Sequence, residues 1–456
     1  MFNAKDIIEA TSGQPVCGRP DASFLSVSTD TRKIERGALF VAIKGPNFDG
    51  HDFIGQAMEK GASGAVVSAD VACGSPGFSV FRVSDTVKAL GDLAKFHRKR
   101  FDIPVIALTG SNGKTTTKEM LAAVLSSKYK VLKNGGTENN SIGVPQTLLR
   151  LTKEDEIAVV ELGTNHFGEI AYLADIAGPN CGIILNVGPS HLEYFGTVDG
   201  VRSEKLDLLK RICDDGSVIV NGDDEALVSA AEKLCEEVVT FGFSEGCDFM
   251  AGRVRESDCG IDFSLNDTYM LKLRMIGRHN IYNALAALAA GSLYGVETGE
   301  AVGILEGFVP PKLRMEYARC DGIDFIFDCY NSNPLSMRSA IDTLRDMGTG
   351  RRKVVVAGDM LELGVAAPEM HREVGRLAAR AKVDILVSVG SLSGYILEGA
   401  QEEGIGGEAL LHFENSAEAA KALKDILREG DLVLVKGSRG MKMEEIKKCF
   451  TTCSTR

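Results

Sequence analysis

Residues 105–117 read VIALTGSNGKTTT, and the fold turns on that stretch. Val105 to Leu108 form an apolar run of strand character. The run ends in a turn carrying Gly110 and Gly113, followed by Lys114 and three threonines, Thr115 to Thr117. KEMLAAVLSS continues from Lys118, with Met120, Leu121, Val124 and Leu125 at helical spacing. Strand, glycine turn, Lys-Thr and helix together describe a phosphate-binding loop. Glycines let backbone N–H groups close on phosphate oxygens, the helix N-terminus adds partial positive charge, and the lysine adds a full one. The loop candidates are therefore Gly110, Ser111, Asn112, Gly113, Lys114, Thr115 and Thr116, with Thr115 offering a hydroxyl to Mg²⁺. Leu108 stands where the pattern G-x-x-x-x-G-K-[ST] has its first glycine.

At 456 residues the chain exceeds one ordinary domain. A hydrophobic content of 44% and a charged content of 25% belong to a globular protein. The net charge of −12, without a long basic run, argues against nucleic acid or an acidic membrane surface as partner. MFNAKDIIEATSG does not read as a signal peptide, and no apolar stretch is long enough to span a bilayer, so a cytoplasmic location is expected. Eleven cysteines are scattered without a C-x-x-C pair. Those such as Cys181, Cys213, Cys235 and Cys329 read as buried free thiols, and Cys449 and Cys453 as incidental.

The pattern divides into three α/β units. Residues 1–84 hold strand-like runs at 39–43, 64–68 and 79–83 around a helical stretch at 53–60. Residues 85–309 begin with a basic connecting helix. Strands at 104–109, 156–161, 182–187 and 217–220 then alternate with helices, which predicts a mostly parallel sheet. A strand-rich insert at 247–275 and a helix from His279 close this unit. Residues 310–456 repeat the alternation with strands at 323–328, 353–357, 384–389 and 431–435, a Rossmann-like pattern. An active site in the cleft between the second and third units is expected.

Several polar residues stand where parallel strands end. Glu161 closes EIAVVE, where a carboxylate can hold Mg²⁺ beside the phosphate loop. His191 follows the next strand; alone it reads as a surface or capping residue, since Mg²⁺ prefers oxygen. Lys205 alone reads as a solvated lysine on a helix. In the third unit Asp328, Tyr330, Asn331 and Asn333 lie beyond one strand, and Lys436, Ser438 and Arg439 beyond another.

Taken in order, TGSNGKTTTKEM, GTENNSIGVPQTLLRL, ELGTNHFGEI, NVGPSHLEYFG, GRHNIYNALAA, DCYNSNP, AGDMLELG and KGSR closely resemble the Mur ligases of peptidoglycan synthesis. The resemblance covers nearly the whole chain, including STDTRKIERGALFVAIKGPNFDGHDF, and the shortened phosphate loop is usual in the family. ELGTNHFGEI, DCYNSNP and DMLELG point to the members whose substrates are UDP-N-acetylmuramoyl-tripeptide and D-alanyl-D-alanine. The D-N-P-R motif of the preceding step is missing from the sequence.

The resemblance implies a small α/β UDP-substrate domain (1–84), a central ATP-binding parallel-sheet domain (85–309) and a C-terminal Rossmann-like domain for D-alanyl-D-alanine (310–456). It implies ATP-driven amide formation through an acyl phosphate and two Mg²⁺ ions; a monomer is the plain expectation, which no motif carries. It matches Lys114 and Thr115 to phosphate and metal, and Glu161 and His191 to a second Mg²⁺. Lys205 aligns with a lysine that becomes a carbamate, although the usual K-G-E-[IL] is here Lys205-Leu206-Asp207-Leu208. Asn280 and Asn283 match residues near the adenine, and Arg314 and Asp328 match the closing contacts with nucleotide. Asn139 and Asn140 match a loop facing the reacting groups. Ser28, Thr29, Arg32, Lys44 and His51 lie in the motif associated with the UDP-sugar, and Tyr330, Asn331, Asn333, Lys436 and Arg439 fall to the incoming amine. The rival readings are another ligase on this scaffold, such as folylpolyglutamate synthetase, and a nucleotide-controlled binding protein that does not ligate.

Overall fold

The computed structural model describes residues 1–72, 77–212, 216–257 and 260–450, and the backbone of 453–455. Its centre is a nine-stranded sheet. Val105–Thr109 lies between Ile157–Glu161 and Cys181–Ile184, parallel to both. The chain leaves Val105–Thr109 for the edge strand Val131–Lys133, returns to Ile157–Glu161, and then crosses to the other side at Cys181–Ile184. That reversal opens a crevice at the carboxyl end of Val105–Thr109, where open α/β sheets bind ligands. Ser217–Asn221 and Val238–Gly242 extend the parallel part. Phe249–Ser257 joins that part and turns antiparallel to Gly260–Leu265, with Tyr269–Leu273 beyond.

Residue alternation along Val105–Thr109 assigns the two faces. Ile106 and Leu108 pack with Met120, Leu121 and Val124 of the Lys114–Leu125 helix and with the His279–Leu293 helix. Val105 and Ala107 pack with Leu90, Leu93, Val144 and Ile170 on the other face, in a core that also takes Phe24, Leu39 and Phe81 from the first unit. The run of alanines in His279–Leu293 brings that helix close to the phosphate-loop helix: a Cβ on Gly291 would stand 2.6 Å from Val124 Cγ1.

The first unit carries a five-stranded sheet in which Ala38–Val41 and Gly64–Val67 are parallel neighbours and Gln14–Cys17 is an antiparallel edge. The third unit has a seven-stranded sheet. Five strands are parallel, and Glu316–Cys320 and Cys453–Thr455 add an antiparallel edge. The parallel register sets Asp328 directly beside Lys436 at the carboxyl ends of Ile323–Asp328 and Leu432–Lys436.

Two expectations need correction. The strand expected over 182–187 stops at Ile184, because Asn186 is drawn into hydrogen bonds with the phosphate loop. Cys17 and Cys320 each take part in a separate disulfide, whereas Cys181, Cys235, Cys247, Cys329 and Cys449 are free. Spacing along a chain gives no sign of pairing that only strand assembly creates. Cys213 lies outside the described residues. Among the described residues no helix is long and apolar enough to cross a membrane.

Candidate active site

The phosphate loop is clasped before any ligand is considered. The Asn112 backbone N–H donates to Asn186 Oδ1 at 2.8 Å, and Asn186 Nδ2 donates to the Asn112 carbonyl at 3.0 Å. Ser111 Oγ donates to the Gly188 carbonyl and accepts from the Gly188 N–H, each at 3.0 Å. Gly113 precedes the Lys114–Leu125 helix at φ +84°, where a side chain would strike Asn283 Oδ1 at 2.3 Å. Lys114 folds back to donate to the Gly110 carbonyl at 2.7 Å. Desolvation pushes the Lys114 pKa down and the Arg314 charge adds to that, while Glu161 works against it.

Glu161 is buried at the end of its strand. Its Oε1 accepts from Asn139 Nδ2 at 2.7 Å; its Oε2 is buried with no hydrogen-bond partner among the described residues, the Lys118 ammonium lying 3.8 Å away. Lys118 is itself fully buried and donates to the carbonyls of Asn134 and Gly136. It thereby anchors the loop that carries Asn139 and Asn140. Asn140 Oδ1 accepts the N–H groups of Ile142 and Gly143, closing the next turn.

Other polar groups come from the third unit. Arg314 donates to Thr115 Oγ1 at 3.0 Å and lies 4.2 Å from the Tyr330 ring centroid. The Thr137 and Tyr330 hydroxyls are hydrogen-bonded. Asn112 Nδ2 donates to Asn333 Oδ1 at 3.2 Å, and Asn333 Nδ2 donates back to Asn112 Oδ1 at 2.9 Å. His191 Nδ1 meets Glu362 Oε2 at 2.5 Å, and this bond holds the Glu362 carboxyl below its ordinary pKa. Lys436 pairs with Asp328 at 2.5 Å and donates to the Asn331 carbonyl. Arg439 pairs with Glu444.

These groups surround one cleft of about 700 Å³. Residues Ser111 to Thr116, Asn139, Asn140, Glu161, His191, Asn280 and Asn283 line it from the central unit. Arg314, Asp328, Tyr330, Asn331, Asn333, Lys436 and Arg439 line it from the third. Asn280 and Asn283 are buried, and Asn283 Nδ2 donates to Asn280 Oδ1 at 2.9 Å, with Asn283 Oδ1 accepting from Thr117 Oγ1.

Lys205 does not line the cleft and is not the solvated lysine its helix position suggests. It is 2% exposed. Burial, then the charge of Lys114, pushes its pKa well down, against the pull of Glu204. The first-unit residues also lie apart from the cleft. Ser28 donates to the Asp30 carbonyl, Thr29 accepts from Gln146, Arg32 pairs with Asp30, and Lys44 pairs with Asp49. His51 is fully engaged, with Nδ1 on Asp49 and Nε2 accepting from the Ser68 N–H.

Three cleft-side residues escape the sequence reading. Lys118 looks like a helix surface lysine, and only its place one turn beyond the loop, behind Glu161, could have flagged it. Glu362 sits within AGDMLELG, but its partner lies 171 positions away. His279 stands beside the asparagines of HNIYN and gives no separate signal; it lines the cleft with a buried Nδ1 that has no hydrogen-bond partner among the described residues, and burial lowers its pKa.

For a metal, the orphaned Glu161 Oε2 is a hard anionic donor and Thr115 Oγ1 a second oxygen, as Mg²⁺ prefers. Among the described residues no three His, Cys, Asp or Glu side chains cluster for a metal, so phosphate and water oxygens would fill much of its coordination shell. The donor set fits a phosphate-bound Mg²⁺.

Three family models match the chain: "Mur ligase family, catalytic domain" over 24–98, "Mur ligase middle domain" over 108–291, and "Mur ligase, glutamate ligase domain" over 313–439. The chain is 37% identical to the UDP-N-acetylmuramoyl-tripeptide–D-alanyl-D-alanine ligase of Bacillus subtilis, over 92% of each. It is similar to the crystal structure of MurF from Acinetobacter baumannii, with TM-score 0.88 and 34% identity over 98% of each chain. It is also similar to the MurF ligase of Thermotoga maritima in complex with ADP, with TM-score 0.83 and 28% identity over 93% of this chain and 96% of that one.

Proposed function

The chain belongs to the Mur ligase family, and we propose that it joins D-alanyl-D-alanine to UDP-N-acetylmuramoyl-tripeptide by an ATP-driven amide bond. One observation carries the reading. A phosphate loop on one sheet faces a wall of polar side chains from another, across a single cleft of about 700 Å³. The relatives named for this reaction match along almost their whole length.

Residues 1–84 take the UDP-sugar, with Ser28, Thr29, Arg32, Lys44 and His51 nearby. Residues 85–309 take ATP, and 310–456 the dipeptide. The loop N–H groups of 113–115 and Lys114 cradle the phosphates, with Lys114 turning from the Gly110 carbonyl to the ligand. Asn280 and Asn283 lie near the adenine, and Arg314 and Asp328 make the closing contacts with the nucleotide. Thr115, Glu161 and His191, with a carbamylated Lys205, would hold two Mg²⁺, which supply charge neutralisation at the γ-phosphate. Burial that favours the neutral amine of Lys205 also favours its attack on CO₂.

The tripeptide carboxylate attacks the γ-phosphate, and ADP leaves. Lys114 stabilises the charge that builds up there. The dipeptide amine, oriented by Tyr330, Asn331, Asn333, Lys436 and Arg439, attacks the acyl carbonyl, loses its proton and expels phosphate. Asn139 and Asn140 face the reacting groups. Contacts between the loop and the third unit keep water from the acyl phosphate. Both walls of the cleft come from one chain, so a monomer suffices. The nucleotide-linked substrate is the reason to expect the cytoplasm.

The test is incubation with ATP, Mg²⁺, UDP-muramoyl tripeptide and D-alanyl-D-alanine, followed by mass spectrometry. The expected product is the two substrates less one water, with one ADP formed for each. ATP turnover without that product would favour the nucleotide-controlled binding protein.

A further inference from the structure

His191 and Glu362 come from different sheets: His191 follows Cys181–Ile184, and Glu362 follows Lys353–Gly358. Both stand in the left-handed region, at φ +52° and +63°. L residues adopt that conformation rarely, and it persists where the surroundings hold it. Here each turn holds the other. Glu362 Oε2 meets His191 Nδ1 at 2.5 Å, and the Glu362 carbonyl accepts the Glu193 N–H at 3.3 Å. At Gly364, φ +57°, a Cβ would stand 3.1 Å from Glu193 Cα, so a small residue permits the approach.

A carboxylate on Nδ1 fixes the tautomer with the proton there. Nε2, which has no hydrogen-bond partner among the described residues, keeps its lone pair. Metal-binding histidines are oriented in this way by outer carboxylates.

We propose that Glu362 is a positioning residue: seating the 362–364 turn against the 191–193 turn sets the His191 imidazole for a divalent cation, so the third unit completes a cation site in the central one. The proposal rests on the metal role given to His191 above. It makes cation affinity depend on a residue outside the central sheet unit.

The experiment measures Mn²⁺ binding by electron paramagnetic resonance on the full chain with saturating ADP. Glu362→Gly and Glu362→Asn both suit a positive φ and remove or shorten the carboxylate arm, and Glu362→Gln keeps an acceptor of the same reach. Glu362→Gly and Glu362→Asn are expected to weaken Mn²⁺ binding about 10-fold or more, the usual effect of losing an outer partner. Glu362→Gln should restore most of it. His191→Ala should weaken binding at least as much, and Glu362→Gly added to His191→Ala should cost nothing further. Parent-like Mn²⁺ affinity in both short-arm variants, with His191→Ala weakened, overturns the positioning role alone. Unchanged affinity in His191→Ala overturns the metal reading of His191 and the proposal with it.

Discussion

Replacing Gly113 with alanine strains the phosphate loop at its tightest point, and a matched control lies in the same sheet unit. Gly113 precedes the Lys114–Leu125 helix at φ +84°, ψ −14°; Gly168 precedes Glu169–Ala177 at φ +87°, ψ −6°. An alanine in that backbone conformation costs about 1–2 kcal/mol at either site. The surroundings differ. A Cβ at Gly168 meets nothing within 4 Å, whereas one at Gly113 lies 2.3 Å from Asn283 Oδ1. Asn283 must move, giving up the bond from Thr117 Oγ1 and its own to Asn280 Oδ1. At about 1 kcal/mol each, the two bonds add about 2 kcal/mol to the cost of Gly113→Ala. Urea unfolding of the central unit should therefore separate the two variants by about that amount. ADP affinity by calorimetry should fall about tenfold or more in Gly113→Ala, the equivalent of about 1.4 kcal/mol, and stay level in Gly168→Ala. Equal midpoints and equal ADP affinities would refute the claim that the loop and Asn283 form one tightly fitted unit.

Lys114→Ala should lower kcat at least about 10²-fold in the ligation assay, the scale of losing one preorganised charge-stabilising donor; near-normal turnover would remove Lys114 from the phosphate site. Lys205→Ala should be inactive and partly rescued by short carboxylates. Failure of rescue, with an unmodified lysine by mass spectrometry, would remove the carbamate. Asp49 has its pKa drawn down from 3.8 to about 2, first by the His51 N–H and then by the imidazole. A depressed carboxyl stabilises fully above its unfolded pKa and loses that effect as pH falls through the folded one. First-unit stability should thus drop between pH 3.8 and about 2, and Asp49→Asn should flatten that drop in pH-dependent urea melts. An unchanged drop would exclude Asp49 as its source.

The parallel strands were legible because both faces are covered, so runs such as IAVV and LVLV are apolar throughout. Their polar ends were legible for the same reason: Glu161 and Lys436 each close an unbroken apolar run, and Asp328 closes the run Phe325 to Phe327. Short strands such as Phe2–Asn3 and Ser23–Phe24 span too few residues for any period to show. The early stop at Ile184 escaped because a partner 74 positions away, Asn112, claims Asn186. Buried lysines escape for a related cause. Lys118 and Lys205 sit on helices with charged neighbours, and nothing local says that the surface there is covered. The first-unit residues stand apart from the cleft, and only the resemblance assigns them a ligand.

Three side chains of the loop are already engaged within the chain: Lys114 with the Gly110 carbonyl, Thr115 with Arg314, Asn112 with Asn333. An arriving triphosphate therefore swaps partners and does not gain fresh ones. Its net enthalpy should be modest for so many contacts, because each bond made is set against one given up. The same swap frees Arg314 and Asn333, so occupancy of the loop is reported to the opposite wall by the release of bonds.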